Sequence, residues 1–326
     1  MSMSASEAMG DLRSSIKNVA LAGATGMLGS HILAAFCQNE RYHLTALIRD
    51  KSSIPPLPPQ VVVIQVDYES HETLVSALQG QDVLVSALGK SALHYQTRLV
   101  DAAVAANVRR IIPSEFGANL ENPKTRAFPT YASKVSLEDQ LRRSCKLSNL
   151  SYTLIYTNCL LDWAIASHGA LLVDPSQRLV KLYDGGNTKF SATSMATVGR
   201  TVIAALDHYG ETANRAIYVH DIAMSQIELL ELVKEVTVGD GGDEWTIDHI
   251  DTGEAEARAQ AAFETGAMTF EVFYGFAARA AFAPGYGGYF SRCDNELLGI
   301  KAMGRDEVKG LIREVFSKDS QRGISR

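Results

Sequence analysis

The stretch Asn18-Val-Ala-Leu-Ala22, followed by Gly23-Ala-Thr-Gly26-Met-Leu-Gly29, decides the reading of the fold. Five mostly apolar residues run into three glycines at GxxGxxG spacing. From Met27 to Gln38, Leu28, Ile32, Leu33 and Phe36 then recur at helical intervals. A strand, a tight turn and a helix are expected, in the order that opens a βαβ unit.

Glycines between a strand and a helix allow a sharp turn, a close approach of ligand to backbone, and tight packing of helix on strand. The amides at the positive end of that helix suit a pyrophosphate. Gly23, Thr25, Gly26, Met27, Leu28 and Gly29 are therefore candidate dinucleotide contacts. The second strand, His43 to Ile48, ends in Arg49 and not in the acid that usually bonds a ribose 2′-hydroxyl. Arg49 and Lys51 can pair with a 2′-phosphate, which favours NADP over NAD; Asp50, between them, is the residue that would serve the ribose instead.

Outward from this unit the rhythm repeats. Val61 to Val66, Val83 to Ala87, Arg110 to Ile112 and Tyr152 to Tyr156 read as strands, with helical periods at Thr73 to Leu78, Thr97 to Ala106 and Lys134 to Arg143. Alternating β and α predicts an α/β fold of Rossmann type: a doubly wound parallel sheet covered on both faces. The cluster Ile54-Pro-Pro-Leu-Pro-Pro59 is expected as a stiff surface connector. Beyond Thr157 come a helix from Met195 to Leu206, a strand from Ala216 to Val219, and a helix opened by Ser225 and Glu228 at capping-box spacing. A strand from Trp245 to Ile250, a charged helix from near Thr252, an aromatic helix through Phe270 to Phe276 and an amphipathic helix from Arg305 to Phe316 complete the chain. Residues 17–157 are expected to form the dinucleotide-binding domain, with 190–236 packing onto it. Residues 158–189 and 237–326 are expected to form a smaller, mostly helical substrate lobe.

Composition narrows the function. With 31 basic and 37 acidic residues the formal charge is −6, which gives no cationic field for nucleic acid or anionic lipid. Cys37, Cys145, Cys159 and Cys293 form no CxxC pair, as expected of reduced thiols in the cytoplasm, and no metal site is suggested. Met1 to Lys17 lacks the apolar core of a secretory signal and reads as a frayed tail, and no run approaches the roughly 18 apolar residues of a membrane span. Of the histidines only His168 and His220 fall where they approach a cleft, neither at metal-ligand spacing.

Together the glycine turn, Leu47-Ile-Arg49, Val83-Leu-Val-Ser-Ala-Leu-Gly89, Ile112-Pro-Ser-Glu-Phe-Gly117, Lys134, Tyr156-Thr-Asn158, Asp184-Gly-Gly-Asn187 and Ser225-Gln226 resemble the isoflavone reductase-like, or NmrA-like, family of atypical short-chain dehydrogenases. The likeness runs from about Lys17 to Phe316. It implies NADPH-dependent reduction of aromatic secondary metabolites, with Lys134 at the position of the family's active-site lysine. Regulatory members bind NADP(H) without turnover and contact a protein partner, which is the alternative function. Tyr131 and Lys134 also resemble the Tyr/Lys pair of ordinary short-chain dehydrogenases. Here they are YxxK and not YxxxK, so Tyr131 is a candidate acid or a packing residue.

Ala87, Leu88 and Gly89 at the exit of the fourth strand, Ser114 and Phe116 at the exit of the fifth, and Asn158 after the sixth are, with Lys134, the remaining cofactor candidates, because open α/β sheets bind ligands at strand carboxyl ends. Phe116 and Asn158 are equally readable as core. Tyr156, Trp163, Phe270, Phe273, Tyr274, Phe282 and Tyr286 are candidate walls of an aromatic substrate pocket. A homodimer remains open.

Overall fold

The computed structural model describes residues 16–166, 171–237, 244–267 and 269–323. Most of the expected N-terminal tail, and His168, lie outside them. The strands in chain order are β1 (Asn18–Ala22), β2 (His43–Ile48), β3 (Val62–Gln65), β4 (Val83–Ser86), β5 (Arg110–Ile112), β6 (Ser151–Tyr156), β7 (Cys159–Leu160), β8 (Val173–Asp174), β9 (Leu179–Tyr183), β10 (Lys189–Thr193), β11 (Arg215–Tyr218), β12 (Ile222–Ser225) and β13 (Thr246–Ile250). The main helices are α1 (Met27–Cys37), α2 (His71–Leu78), α3 (Gln96–Ala105), α4 (Ala132–Leu147), α5 (Met195–Asp207), α6 (Gln226–Thr237), α7 (Thr252–Glu264), α8 (Phe270–Phe282) and α9 (Arg305–Gly323).

Seven parallel strands form the main sheet in the order β3-β2-β1-β4-β5-β6-β11, the doubly wound Rossmann arrangement. The chain departs to one side after β1 and to the other after β3, so the crevice between the β1 and β4 exits is the switch point where such sheets bind ligands. Alternation along β1 explains why it reads as a continuous apolar run. Val19 and Leu21 enter a core with Ile32 and Phe36 of α1 and Val198 and Val202 of α5. Ala20 and Ala22 enter the opposite core, with Leu74 of α2, Leu99 of α3 and Leu137 and Leu141 of α4. Both faces are buried, so neither shows a polar period.

The segment after Thr157 returns to this sheet, because β11 pairs with β6 and α5 lies on α1. Buried Arg110 ties that return down. Its guanidinium donates to Ser151 Oγ at 2.7 Å, Thr153 Oγ1 at 2.8 Å and the carbonyl of Tyr209 at 2.7 Å. The rest of the chain is largely helical, as expected. It also carries two three-stranded sheets, β12-β10-β7 and β13-β9-β8, of which only β13 is read from sequence. The capping box forms: Ser225 N–H donates to Glu228 Oε2 at 2.7 Å, and Glu228 N–H donates to Ser225 Oγ at 3.2 Å. Among the described residues no helix is long and apolar enough to cross a membrane, no cluster of three metal-ligating side chains occurs, and the four cysteines are free.

Candidate functional site

The glycine turn is shaped by what cannot fit there. Gly23 adopts φ 84°, and a Cβ on it would lie 2.6 Å from the Ala87 carbonyl oxygen. A Cβ on Gly29 would lie 1.9 Å from the Gly23 carbonyl oxygen. The helix α1 is therefore drawn hard against the end of β1, and β4 leaves directly beside the turn. Gly26 caps α1 with no side-chain hydrogen bond, and no acid occupies the first turn. Thr25, Gly26 and Met27 are exposed, Leu28 is half-buried toward the core, and Gly29 is buried. An uncapped, accessible helix N-terminus against a wall of bare backbone fits a dinucleotide pyrophosphate. Ala87 and Leu88 are buried along the next edge and Gly89 is exposed, opening the turn that carries Lys90.

At the exit of β2, Arg49 and Lys51 are exposed. Asp50, also exposed, is engaged by its own loop, where its carboxylate accepts from Ser52 N–H at 2.9 Å and Ser52 Oγ at 2.7 Å. Those bonds hold its carboxyl below the usual range. The acid at this position is thus engaged in a turn, and the two cations flank it.

The exit of β5 is joined to the exit of β4. Ser114 Oγ donates to the Leu88 carbonyl at 2.9 Å, and Ser114 N–H donates to Gln96 Oε1 of α3 at 2.7 Å. Next, Lys134 from the first turn of α4 donates through Nζ to the Glu115 carbonyl at 2.5 Å. The same Nζ lies 3.5 Å from Glu115 Oε2. The Lys134 side chain keeps 17% of its surface exposed, against 1% for Glu115. Burial pushes the Glu115 carboxyl up to about 7, opposed by the Lys134 charge and helped by that of Glu138. Phe116 follows with φ 30° and is buried among the residues of the α1 side of the sheet.

Gly23, Ala87, Leu88, Ser114, Glu115 and Lys134 thus form one contiguous strip along the carboxyl edge of β1, β4 and β5. Three candidates fall elsewhere. Tyr131 packs in the core on the α4 side, 6% exposed, with its phenol pushed up by burial. Asn158 spends its two amide donors on the carbonyls of Ser191 and Gly288, each at 2.8 Å, and so ties β10 to the segment after α8. His220 lies within hydrogen-bonding distance of Ser191, at 3.2 Å between Nδ1 and Oγ, and is held low by burial.

The aromatic candidates also divide. Tyr156 is fully buried with its hydroxyl donating to Glu138 at 2.7 Å, and Phe282 stacks on Tyr183 in a third core apart from the two on the main sheet, so both are packing residues. Tyr286 stacks on Phe128. Trp163, Phe270, Phe273 and Tyr274 remain as a loose cluster in which rings approach at about 6 Å. Lys90 lies 4.6 Å from the Phe273 ring centre, which brings α8 over the exit of β4. Beside it, a recess of about 450 Å³ opens between the β9–β13 edge and helices α7 and α8, with Lys181, Tyr183, Ile250, Val272 and Tyr274 in its walls. Sequence reasoning passed over Glu115, Glu138, Arg126 and Gln96. The signal was partly present, since Glu115 stands inside the quoted Pro113–Gly117 motif, but nothing in the motif announces that the carboxylate points inward.

Residues 23–209 match the family model described as NAD(P)H-binding. Oxidoreductase poxI of Penicillium oxalicum is 31% identical over 302 residues, covering 88% of this chain and 91% of that protein. The isoflavone reductase homolog IRL of Zea mays is 29% identical over 233 residues, covering 67% of this chain and 74% of that protein. Among solved structures, AtPrR2 with NADP+ and (+)pinoresinol superposes with a TM-score of 0.70 at 22% identity, over 91% of this chain and 99% of that one, which speaks for the fold. With the glycine turn, the strand order and the strip along the sheet edge, these matches identify the chain as a member of the isoflavone reductase-like family of NAD(P)H-binding oxidoreductases.

Proposed function

We propose that the protein is an NADPH-dependent reductase of an aromatic small molecule, acting on an enone, a quinone or quinone methide, or a carbonyl, with Lys134 as proton donor or polarising group. The carrying observation is the contiguous strip in which a partly exposed amine stands at the end of a backbone path that begins at the glycine turn. Arg49 and Lys51, with Asp50 engaged by Ser52, support NADPH over NADH. The complex of AtPrR2 with (+)pinoresinol supports an aromatic substrate.

When bound, the reduced nicotinamide supplies a hydride. The acceptor then carries negative charge, which Lys134 neutralises by a hydrogen bond or by proton transfer from Nζ. The carbonyl of Glu115 holds that amine in place. Trp163, Phe270, Phe273 and Tyr274 offer flat surfaces for an aromatic ring.

The test is Lys134→Met, titrated with NADPH by fluorescence and assayed for NADPH consumption against quinones, enones and aryl ethers. Cofactor affinity should stay within about two-fold while turnover falls on the order of 10²- to 10⁴-fold. Unchanged turnover in this variant sinks the role of Lys134, and NADPH binding by the wild type without consumption of any compound sinks the reductase reading.

A further inference from the structure

We propose that Glu115 is the positioning partner of Lys134 and the store of the proton that Lys134 delivers, an inference that rests on Lys134 being the group that meets the substrate. Its side chain is 1% exposed, and neither carboxyl oxygen has a hydrogen-bond partner among the described residues. A buried carboxyl left in that state is costly unless it serves as one end of a proton exchange. The Lys134 amine is fastened by the Glu115 backbone carbonyl at 2.5 Å, not by the carboxyl, whose Oε2 lies 3.5 Å away. A modest turn of the Glu115 side chain converts that separation into a hydrogen bond.

The other charged and titratable groups around it are already committed. Glu138 of α4 accepts from the Tyr156 hydroxyl at 2.7 Å and pairs with Arg126 from the turn at Pro123–Arg126. Tyr131 and Tyr156 face the carboxyl from the start of α4 and from β6, both kept as phenols by burial. The second buried acid opposes ionisation of Glu115 while Lys134 favours it, and the carboxyl sits at about 7.

The relay balances in protons alone. As the substrate takes up the two electrons of the reductase reaction, an Nζ–H bond of Lys134 breaks and an O–H or C–H bond forms on the substrate. The O–H bond of the Glu115 carboxyl then breaks and Nζ–H is rebuilt, leaving carboxylate beside ammonium. Solvent returns a proton to Glu115 before the next turnover. Turnover therefore falls as pH rises through about 7, where the store empties.

The test uses the full chain with NADP+ bound. Infrared difference spectra across neutral pH should show a carboxyl that titrates in the wild type and is absent from Glu115→Gln. In Lys134→Met the midpoint of that carboxyl should move to higher pH, because the cation favouring its charged form is gone. With any compound the wild type reduces, Glu115→Gln should lose about 10- to 100-fold in turnover and lose the neutral break in its pH profile, and Glu115→Asp should restore part of both. Wild-type turnover and pH profile in Glu115→Gln would overturn the proposal. So would a midpoint that Lys134→Met leaves in place, since a carboxyl 3.5 Å from the amine must feel the loss of its charge. If the wild type reduces no compound, the reductase reading fails alone, because the infrared midpoints decide the Glu115–Lys134 coupling without turnover.

Discussion

The exits of β1 and β5 lie two strands apart on one edge of the same sheet and are built on opposite principles. At β1 the site is made by missing side chains: Gly23 and Gly29 leave the helix end bare and the backbone within reach. At β5 it is made by side chains, a buried carboxyl with an amine 3.5 Å away. The first exit is broken by adding atoms and the second by removing charge. On the proposed reading, a single sheet edge keeps recognition of a phosphate, which wants fixed dipoles, apart from proton chemistry, which wants groups that titrate.

The largest expected effect comes from filling the bare exit. Gly29→Val places a side chain into the Gly23 carbonyl, and the overlap exceeds what a shift of a few tenths of an ångström relieves. NADPH binding should fall by more than about 100-fold, with destabilisation of roughly 3 kcal/mol or more. Fluorescence titration and thermal unfolding read the two parts, and a variant that binds as the wild type does would remove the glycine turn from the site.

Charge at the β2 exit should matter less. Arg49→Ser should narrow the preference for NADPH over NADH by about 10- to 100-fold, the worth of a charge-assisted phosphate contact, with little change toward NADH. Paired titrations with the two cofactors check this. An unchanged ratio would leave Lys51 as the residue to test, or place the 2′-phosphate elsewhere.

The effect on stability carries a definite sign. Glu115 is raised from 4.5 to about 7 in the folded protein, so the folded state binds that proton more tightly than the unfolded chain. Its contribution is fully present below the unfolded value and is lost as pH rises through about 7, a change of up to about 3 kcal/mol. Between about pH 5 and about pH 8 the melting temperature of the wild type should fall by several degrees more than that of Glu115→Gln. Equal slopes would mean that the carboxyl ionises as easily when folded as when unfolded.

Much of the first half is legible in the order of its residues, and for a local reason. A strand buried on both faces, a glycine turn and an amphipathic helix are each short-range patterns, and GxxGxxG has few other uses between a strand and a helix. The small sheets of the second half are not legible in that way, because β7 and β8 are two residues long and β7 takes its pairing from β10, far along the chain. The aromatic positions show the same limit. Tyr156 and Phe282 carry the same residue types as Phe273 and Tyr274, yet the first two are core and the last two border open space.

By itself, then, the sequence determined the parallel sheet, the place of the dinucleotide turn and the cationic exit of β2, since each depends on residues within one turn or strand of one another. Only the tertiary structure decided that Tyr131 and Asn158 face inward and that Glu115 lies buried against Lys134. Burial and the charge of distant neighbours set the chemistry of a carboxyl, and neither is written in the residues on either side of it.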